Sequence, residues 1–277
     1  PYPTAILNHR LKPQVLSMMV TNYIVNHAGS AFFYHVTQQI DASIEIIAKA
    51  YLIIDMGFSA NTFRQQLYTS SIPEKQKYLL LRDYESHKVR LILDLLQLPS
   101  ISLSFDHIKI IEAIYRKIPT LVSASSLTKW TGMGLDRDTA LTLSCFNSFS
   151  MVSDVFYLHH KENLDVDLSL KFTQIIDTIF HFDWIKSQLD RHDTQSDWEQ
   201  SHKDILEKSL RLEKTKLIHH LLVSHSKKVI SCMTEKEAQL FFKGYLGTDY
   251  KKYLSIIKKM KSMDQVKLTG LAIALNF

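Results

Sequence analysis

The sequence predicts an all-α protein of two packed, bundle-like helical subdomains with no β-sheet. Three observations carry that expectation. Apolar residues recur at intervals of three and four through most of the chain, and no stretch alternates convincingly with a period of two. Only 7 Gly and 6 Pro occur in 277 residues, too few for a fold that depends on tight turns, phosphate loops or hairpins. Those that do occur punctuate the periodic runs, as Gly29, Gly57, Pro73, Pro99 and Pro119 illustrate.

The elements follow in order. From Ile6 to Ala28, Leu11, Val15, Met18/Met19, Asn22 and Val25/Asn26 share a helical stripe that Gly29 closes, which places two asparagines near a buried face. Asp41 and Ser43 are good caps for a second helix over residues 43–56, with Gly57 as its stop. Ser59 to Tyr68 makes a shorter helix. Pro73 then opens a long one through Leu80, Tyr84, His87, Leu91, Leu95 and Leu98, roughly 25 residues and about 37 Å. Phe105 to Ile118 repeats the pattern.

Residues 121–135, rich in Ser, Thr and Gly, read as a connecting loop between an N-terminal subdomain (1–120) and a C-terminal one (136–277). Beyond it, helices are expected at about 136–145, 147–160, 167–180, 183–190, 198–223, 234–244, 249–261 and 265–275. An offset of about 124 to 126 pairs Asp41-Ala42-Ser43 with Asp165-Val166-Asp167, Gly57-Phe58 with His181-Phe182, and Leu95-Leu96 with Leu221-Leu222. Either the unit of helix, short helix and long helix is duplicated, or two such runs coincide by chance.

Composition limits the function classes. Cys145 and Cys232 lie far apart and no basic, apolar leader opens the chain, so a reducing cytoplasm is the expected compartment. The chain opens on Pro1 rather than methionine, as expected for a segment of a longer polypeptide. The most apolar run, Ile44 to Phe58, is interrupted by Glu45, Lys49 and Asp55, so no membrane span is expected. Net charge is +5, and residues 201–277 hold 15 Lys or Arg against 7 Asp or Glu, so an electrostatic partner should meet this C-terminal third.

No motif demands chemistry. Gly132-Met133-Gly134 begins like a dinucleotide fingerprint, but Arg137 stands at the third glycine and no buried strand precedes it; a loop before a helix capped at Asp136 is simpler. His159-His160, His219-His220 and His225 invite a metal, yet adjacent helical histidines point about 100° apart and no His-Glu-x-x-His spacing exists. Cys145, between Leu143 and Phe146, reads as a small buried side chain, whereas Cys232, near Lys227 and Lys228, should be the more reactive thiol. Acidic residues such as Glu112, Asp154, Glu162 and Glu207 read as solvated surface, with no carboxylate pair in an apolar setting.

No catalytic, cofactor-binding or metal residue is therefore expected. Two binding readings remain. Lys251, Lys252, Lys258 and Lys259 interleave with Tyr245, Tyr250 and Tyr253, a composition suited to nucleic acid; Leu254, Ile257 and Met260 make the lysines, more simply, the wet face of an amphipathic helix. The Asn22/Asn26 pair would suit a small effector held between subdomains if its amides were buried, although local bonds to the Gly29 turn explain them equally well.

The order of several short segments adds a resemblance. Thr21 to Phe32, which contains Val25-Asn26-His27-Ala28-Gly29, is similar to an asparagine-bearing helix of the large bacterial NAD-specific glutamate dehydrogenases; His27 stands where that family usually has arginine. Ala42-Ser43 followed by Ile47-Ala48-Lys49-Ala50-Tyr51-Leu52, then Phe182-Asp183-Trp184-Ile185, Trp198 and the closing Leu268 to Phe277, resemble further family segments in the family's order. The resemblance runs from about residue 5 to 277 and identifies the chain as similar to the C-terminal helical domain. It implies a parent polypeptide that uses NAD to oxidise L-glutamate to 2-oxoglutarate and ammonium. It also implies that the catalytic residues and the NAD site lie in another domain of that polypeptide. The implied partners are that catalytic domain and further copies of the parent in a homo-oligomer; nucleic acid and membrane are not expected partners.

Overall fold

The computed structural model describes residues 9–98, 102–121, 124–192, 196–225, 232–263 and 266–275, and among these there are 15 α-helices and no strand. The chain divides into two compact units, Pro1–Tyr157 and Leu158–Phe277. The first holds α1 (Lys12–Ala28), α2 (Phe32–Gln39), α3 (Ile44–Gly57), α4 (Ala60–Thr69), α5 (Glu74–Leu96), α6 (His107–Lys117), α7 (Ala124–Gly132) and α8 (Arg137–Ser144). Division falls within α9 (Phe149–Lys161), C-terminal to the stretch 121–135 that the sequence nominates. The second unit continues with α10 (Val166–Phe180), α11 (Phe182–Arg191), α12 (Asp197–Ser224), α13 (Glu235–Leu246), α14 (Thr248–Lys261) and α15 (Leu268–Leu275).

The first unit is built around α3. Ser43 caps it by accepting the amide of Ile46 at 3.3 Å, and Ile47, Ala50, Tyr51, Ile53, Ile54, Asp55 and Gly57 are all buried. Burial on nearly every side is possible because α1, α2, α4, α5 and α6 all pack against this one helix. Gly57 works differently from the stop expected of it. It is the last helical residue, and a Cβ there would stand 2.6 Å from Ile111 Cγ2, so glycine is what lets α6 approach α3. The left-handed turn that separates α3 from α4 is made by Ser59, at φ 50°.

Two helices depart from the sequence expectation. Residues 124–132, read as loop, form α7, which packs on α8. Phe32–Gln39, for which no helix was expected, forms α2. Both segments are poor helix formers, one rich in Ser and Thr, the other in aromatic and β-branched residues. Tertiary burial compensates in α2, where Phe32 and Val36 are buried and the Phe32 ring meets Tyr51 edge-on at 5.3 Å. At the N-terminus, α1 begins at Lys12; the expected start over Ile6–Asn8, the Pro99 boundary and the closing Asn276-Phe277 lie outside the described residues.

In the second unit α10 is the central element, against which α11, α12 and α13 pack. Asp165 caps it through the Leu168 amide at 2.7 Å. Phe180, at its end, gathers Phe182, Phe242, Tyr250 and Tyr253 within 5.1 to 5.8 Å, and the Tyr253 hydroxyl donates to the Phe180 carbonyl.

The two units repeat an internal order. Ser43 and Asp165 cap the buried helix, Ser59 and His181 are the left-handed residues after it, and a short helix and a long one follow. These pairs stand 122 residues apart rather than the expected 124, because the sequence pairing took Asp41, not Ser43, as the partner of Asp165. Along α5 and α12 the expected spacing of 126 holds: Leu91, Ile92 and Leu95 are buried in one, Leu217, Ile218 and Leu221 in the other.

Candidate functional site

A dense, buried polar constellation lies inside the first unit, on α1, α3, α4 and α5. Asp55 sits one helical turn after Tyr51 on α3, Arg64 projects from α4, and Glu85 and Lys88 stand one turn apart on α5. All four charged side chains are buried, Lys88 completely and Asp55 to 2% exposure.

Arg64 organises them. Its Nη2 donates to Asp55 Oδ1 and to Glu85 Oε1, both at 2.6 Å, and to the Tyr51 hydroxyl at 3.2 Å. Nε donates to Glu85 Oε1 at 3.1 Å, and Nη1 reaches Asp55 Oδ2 at 3.2 Å and Asn61 Oδ1 at 3.1 Å. Every guanidinium nitrogen is thus engaged, and the planar fork of arginine is what allows it to address two carboxylates at once. Lys88 donates to Asp55 and to Tyr51, the latter at 3.2 Å, and pairs with Glu85 Oε2 at 3.0 Å. Its ammonium also lies 4.4 Å from the centre of the Tyr51 ring. Tyr23, from α1, closes the outer end by donating to Asp55 Oδ2 at 2.5 Å and to Asn61 Oδ1 at 2.9 Å.

Two carboxylates and two cations make the cluster neutral. Burial alone would raise Asp55, but Lys88 and Arg64 outweigh it and hold the carboxyl down to about 2. Burial also lowers Lys88, against the pull of Glu85 and Asp55, and the net effect is downward. Arg64 is raised, since its bonds to Asp55 and Glu85 exceed the cost of its burial. Burial lifts the Tyr51 and Tyr23 hydroxyls, helped by the neighbouring carboxylates, so both stay protonated donors. Chemically the arrangement is a lock. Its carboxylates are saturated by cations and phenols, so neither is placed to take a proton from a substrate.

The second unit has a counterpart. Asp177 on α10, 2% exposed, pairs with Lys214 on α12 at 2.7 Å. In helix order, Asp177 and Lys214 occupy the places that Asp55 and Lys88 hold in the first unit.

The expectation of no carboxylate pair in an apolar setting is therefore corrected by Asp55 and Glu85. Glu112, Asp154, Glu162 and Glu207, expected as solvated surface, are each half-buried, and Glu162 lies 3.3 Å from His219. The missed signal was present: Asp55 interrupts the most apolar run of the chain, and Lys88 falls on the helical stripe of Tyr84, Leu91 and Leu95. What sequence spacing lacks is the pairing, since Asp55 and Lys88 are 33 residues apart.

The other nominated residues are dispersed. Met133-Gly134 form the turn after α7, and Asp136 Oδ1 caps α8 by accepting the amides of Asp138 and Thr139 at 3.0 Å. His159 Nδ1 meets the Leu164 carbonyl at 2.6 Å, His219 lies 3.3 Å from Glu162, His220 is 3.1 Å from the Tyr245 hydroxyl, and His225 is 3.4 Å from the Leu221 carbonyl. Among the described residues no three His, Cys, Asp or Glu side chains form a group that could hold a metal ion. Cys145 is buried, which pushes its thiol up to about 12; Cys232 is exposed, and Lys227 and Lys228 lie outside the described residues.

On α14 the lysines are exposed while Tyr250, Tyr253, Ile257 and Met260 are buried, so two of the three tyrosines are unavailable for stacking on bases. Asn22 and Asn26 are exposed, contrary to the expected buried stripe, and the effector reading loses its buried amides. His27 bonds through Nδ1 to the Tyr23 carbonyl at 2.7 Å and leans on the Tyr23 ring. Among the described residues no helix is long and apolar enough to cross a membrane.

A search of curated proteins finds no match for this chain. The family model described as "Glutamate dehydrogenase, C-terminal" matches residues 1–276, and by that near-complete match the chain belongs to the family of glutamate dehydrogenase C-terminal regions.

Proposed function

We propose that this chain is the non-catalytic helical domain of an NAD-specific glutamate dehydrogenase, a rigid body that packs against the catalytic domain of the same polypeptide and restricts how its cleft opens. The full chain would deaminate L-glutamate oxidatively to 2-oxoglutarate and ammonium in the cytoplasm, as a homo-oligomer, with NAD bound outside these residues. The observation that supports the scaffold reading is the saturated ion cluster: four helices are clamped by groups that are fully spent on one another. A domain that transmits restraint must be stiff, and regulation through it needs different contacts in the open and closed states of the cleft.

The test uses the full-length enzyme. Deleting residues 1–277 should alter assembly or glutamate turnover; if both are unchanged, the scaffold role is wrong. Asp55→Asn separates structure from chemistry. A structural Asp55 predicts a lower unfolding midpoint, with turnover lost only in step with folding. A catalytic one predicts lost turnover in a chain whose unfolding midpoint is unchanged.

A further inference from the structure

The long helix α12 carries two apolar stripes. On one side Leu206, Leu210, Leu217, Ile218 and Leu221 are buried, and α10, α11 and α15 pack on the helix. On the other, Trp198, Ile205, Leu212 and Val223 are 69%, 60%, 56% and 73% exposed. At about 100° per residue these four side chains fall within about 40° of one another, so they form a single outward face. Exposed apolar residues scattered singly are ordinary on a protein surface, whereas a line of them on one helix marks an interaction site. Trp198, Ile205 and Leu212 are spaced by seven residues, which gives this part of the face a length of about 21 Å.

Charge along the same helix is segregated. Residues 198–207 hold Glu199, Asp204 and Glu207 against Lys203, and residues 208–217 hold Lys208, Arg211, Lys214 and Lys216 against Glu213. Lys214 is paired with Asp177 inside the unit, and the remaining basic residues still outnumber Glu213. The helix dipole favours acidic groups near the start of a helix and basic groups near its end, but only within the first and last turns. Asp204, Glu207, Lys208 and Arg211 stand at least seven residues from either end of α12, so the dipole does not account for their order.

We infer that the outward face of α12 is a contact between two copies of this chain, with the two helices antiparallel about a twofold axis at Ile205. Reversal about Ile205 sets that residue against Ile205 of the second copy and sets Trp198 of each copy against Leu212 of the other. It also lays the acidic half of each helix along the basic half of its mate. Asp204 and Lys208, one turn apart on the same flank of the stripe, meet Lys208 and Asp204 of the second copy. A parallel pair would align like charges instead. A face that complements itself in both apolar spacing and sign takes a second copy. The inference rests on the homo-oligomer in the proposed function and names one of its surfaces. A single helix pair about 21 Å long buries less than the ~1,200 Å² of an independently stable interface, so this contact acts with others in the assembled enzyme.

The experiment is disulfide trapping in the full-length enzyme under mild oxidation, with linked peptides identified by mass spectrometry. Ile205→Cys should link position 205 to itself across two copies, since a disulfide requires Cβ atoms within about 4.5 Å. Enzyme assembled from co-expressed Trp198→Cys and Leu212→Cys chains should link 198 to 212, while neither variant alone links to itself. Leu240→Cys, exposed on α13, should not link to itself either. Lys208→Glu should lower the yield at position 205 by at least about tenfold, because it faces Asp204 of the second copy, and adding Asp204→Lys should restore it. Self-linking by Trp198→Cys and by Leu212→Cys would show a parallel pair, and links from position 205 to residues outside 1–277 would give the face to the catalytic part. Either result overturns the inference, as does the absence of links or a yield indifferent to Lys208→Glu. Light scattering separates the two readings: a monomeric full-length enzyme would sink both the homo-oligomer and this contact, whereas an oligomer without the links would sink the contact alone.

Discussion

Asp55 illustrates how a buried charge is held. Its carboxylate accepts from Arg64, Lys88 and Tyr23, so its removal strands two cations with a single carboxylate in a dry site. Asp55→Asn should therefore cost about 3–5 kcal/mol in urea unfolding of the first unit. The pH dependence has a defined sign. Because the folded carboxyl is held at about 2, below its ordinary value of 3.8, its contribution is fully present above about pH 4 and is lost as the pH falls through 2. The stability gap between the wild type and Asp55→Asn should accordingly narrow by about 2 kcal/mol between pH 5 and pH 2. A gap that stays constant over that range would contradict the ion-pair account. That Asp55 needed a partner was legible in its apolar run; that Arg64 and Lys88 supply it was not, because they come from other helices.

Helix ends and helix crossings behave differently as elements. Caps are local, and the sequence places them well: Thr234 and Glu237 form a reciprocal capping box at the start of α13, with the Thr234 hydroxyl accepting the Glu237 amide at 3.3 Å and the Thr234 amide donating to Glu237 at 2.7 Å. Thr234→Ala should lower the stability of the second unit by about 1 kcal/mol, measured by thermal or denaturant unfolding. Crossings are non-local. At Gly57 the added methyl of Gly57→Ala would strike Ile111 at 2.6 to 2.9 Å, forcing α3 and α6 apart at a cost of about 1–3 kcal/mol. Combining it with Ile111→Ala should restore part of that loss. Strict additivity of the two substitutions in a double-mutant cycle would show that the contact is not the cause. The helices missed in the sequence, α2 and α7, fail for the same reason, since their propensity is weak and α2 is held by the burial of Phe32 and Val36.

At the level of the whole molecule, two units with separate cores can be followed separately. Cys145 is buried in the first, with its thiol raised by burial, and Cys232 is exposed in the second. A thiol reagent should modify Cys232 in the folded chain and reach Cys145 only as the first unit opens. The rate of Cys145 labelling would then report the opening of Pro1–Tyr157, and Asp55→Asn should raise it by a factor of 100 or more under conditions where opening is at equilibrium, on the ~3 kcal/mol lower bound above. Equal labelling of both thiols in the native chain would contradict the burial of Cys145. The repeated order in the two units is matched by repeated chemistry, with Asp177 and Lys214 in the places of Asp55 and Lys88. In the second unit Lys186, an ammonium rather than a planar guanidinium fork, stands where helix order would put Arg64.

The sequence by itself determined the all-helical class, most helix positions, the caps at Ser43 and Asp136, and the wet lysine face of α14, because periodicity, capping and glycine or proline punctuation all act within one or two turns of chain. The collinear segments also carry the resemblance to the glutamate dehydrogenase family, to whose C-terminal regions the chain belongs. Only the tertiary structure decided which apolar stripe is covered. Five helices bury α3 on nearly every side, whereas α1, which packs on α2, α3 and α5, buries only Ile24. It alone also brought Asp55, Arg64, Glu85 and Lys88 together. Helical periodicity states that a face is apolar or that a charge interrupts it; the partner that meets that face or charge comes from a distant part of the chain, and no local rule encodes its identity.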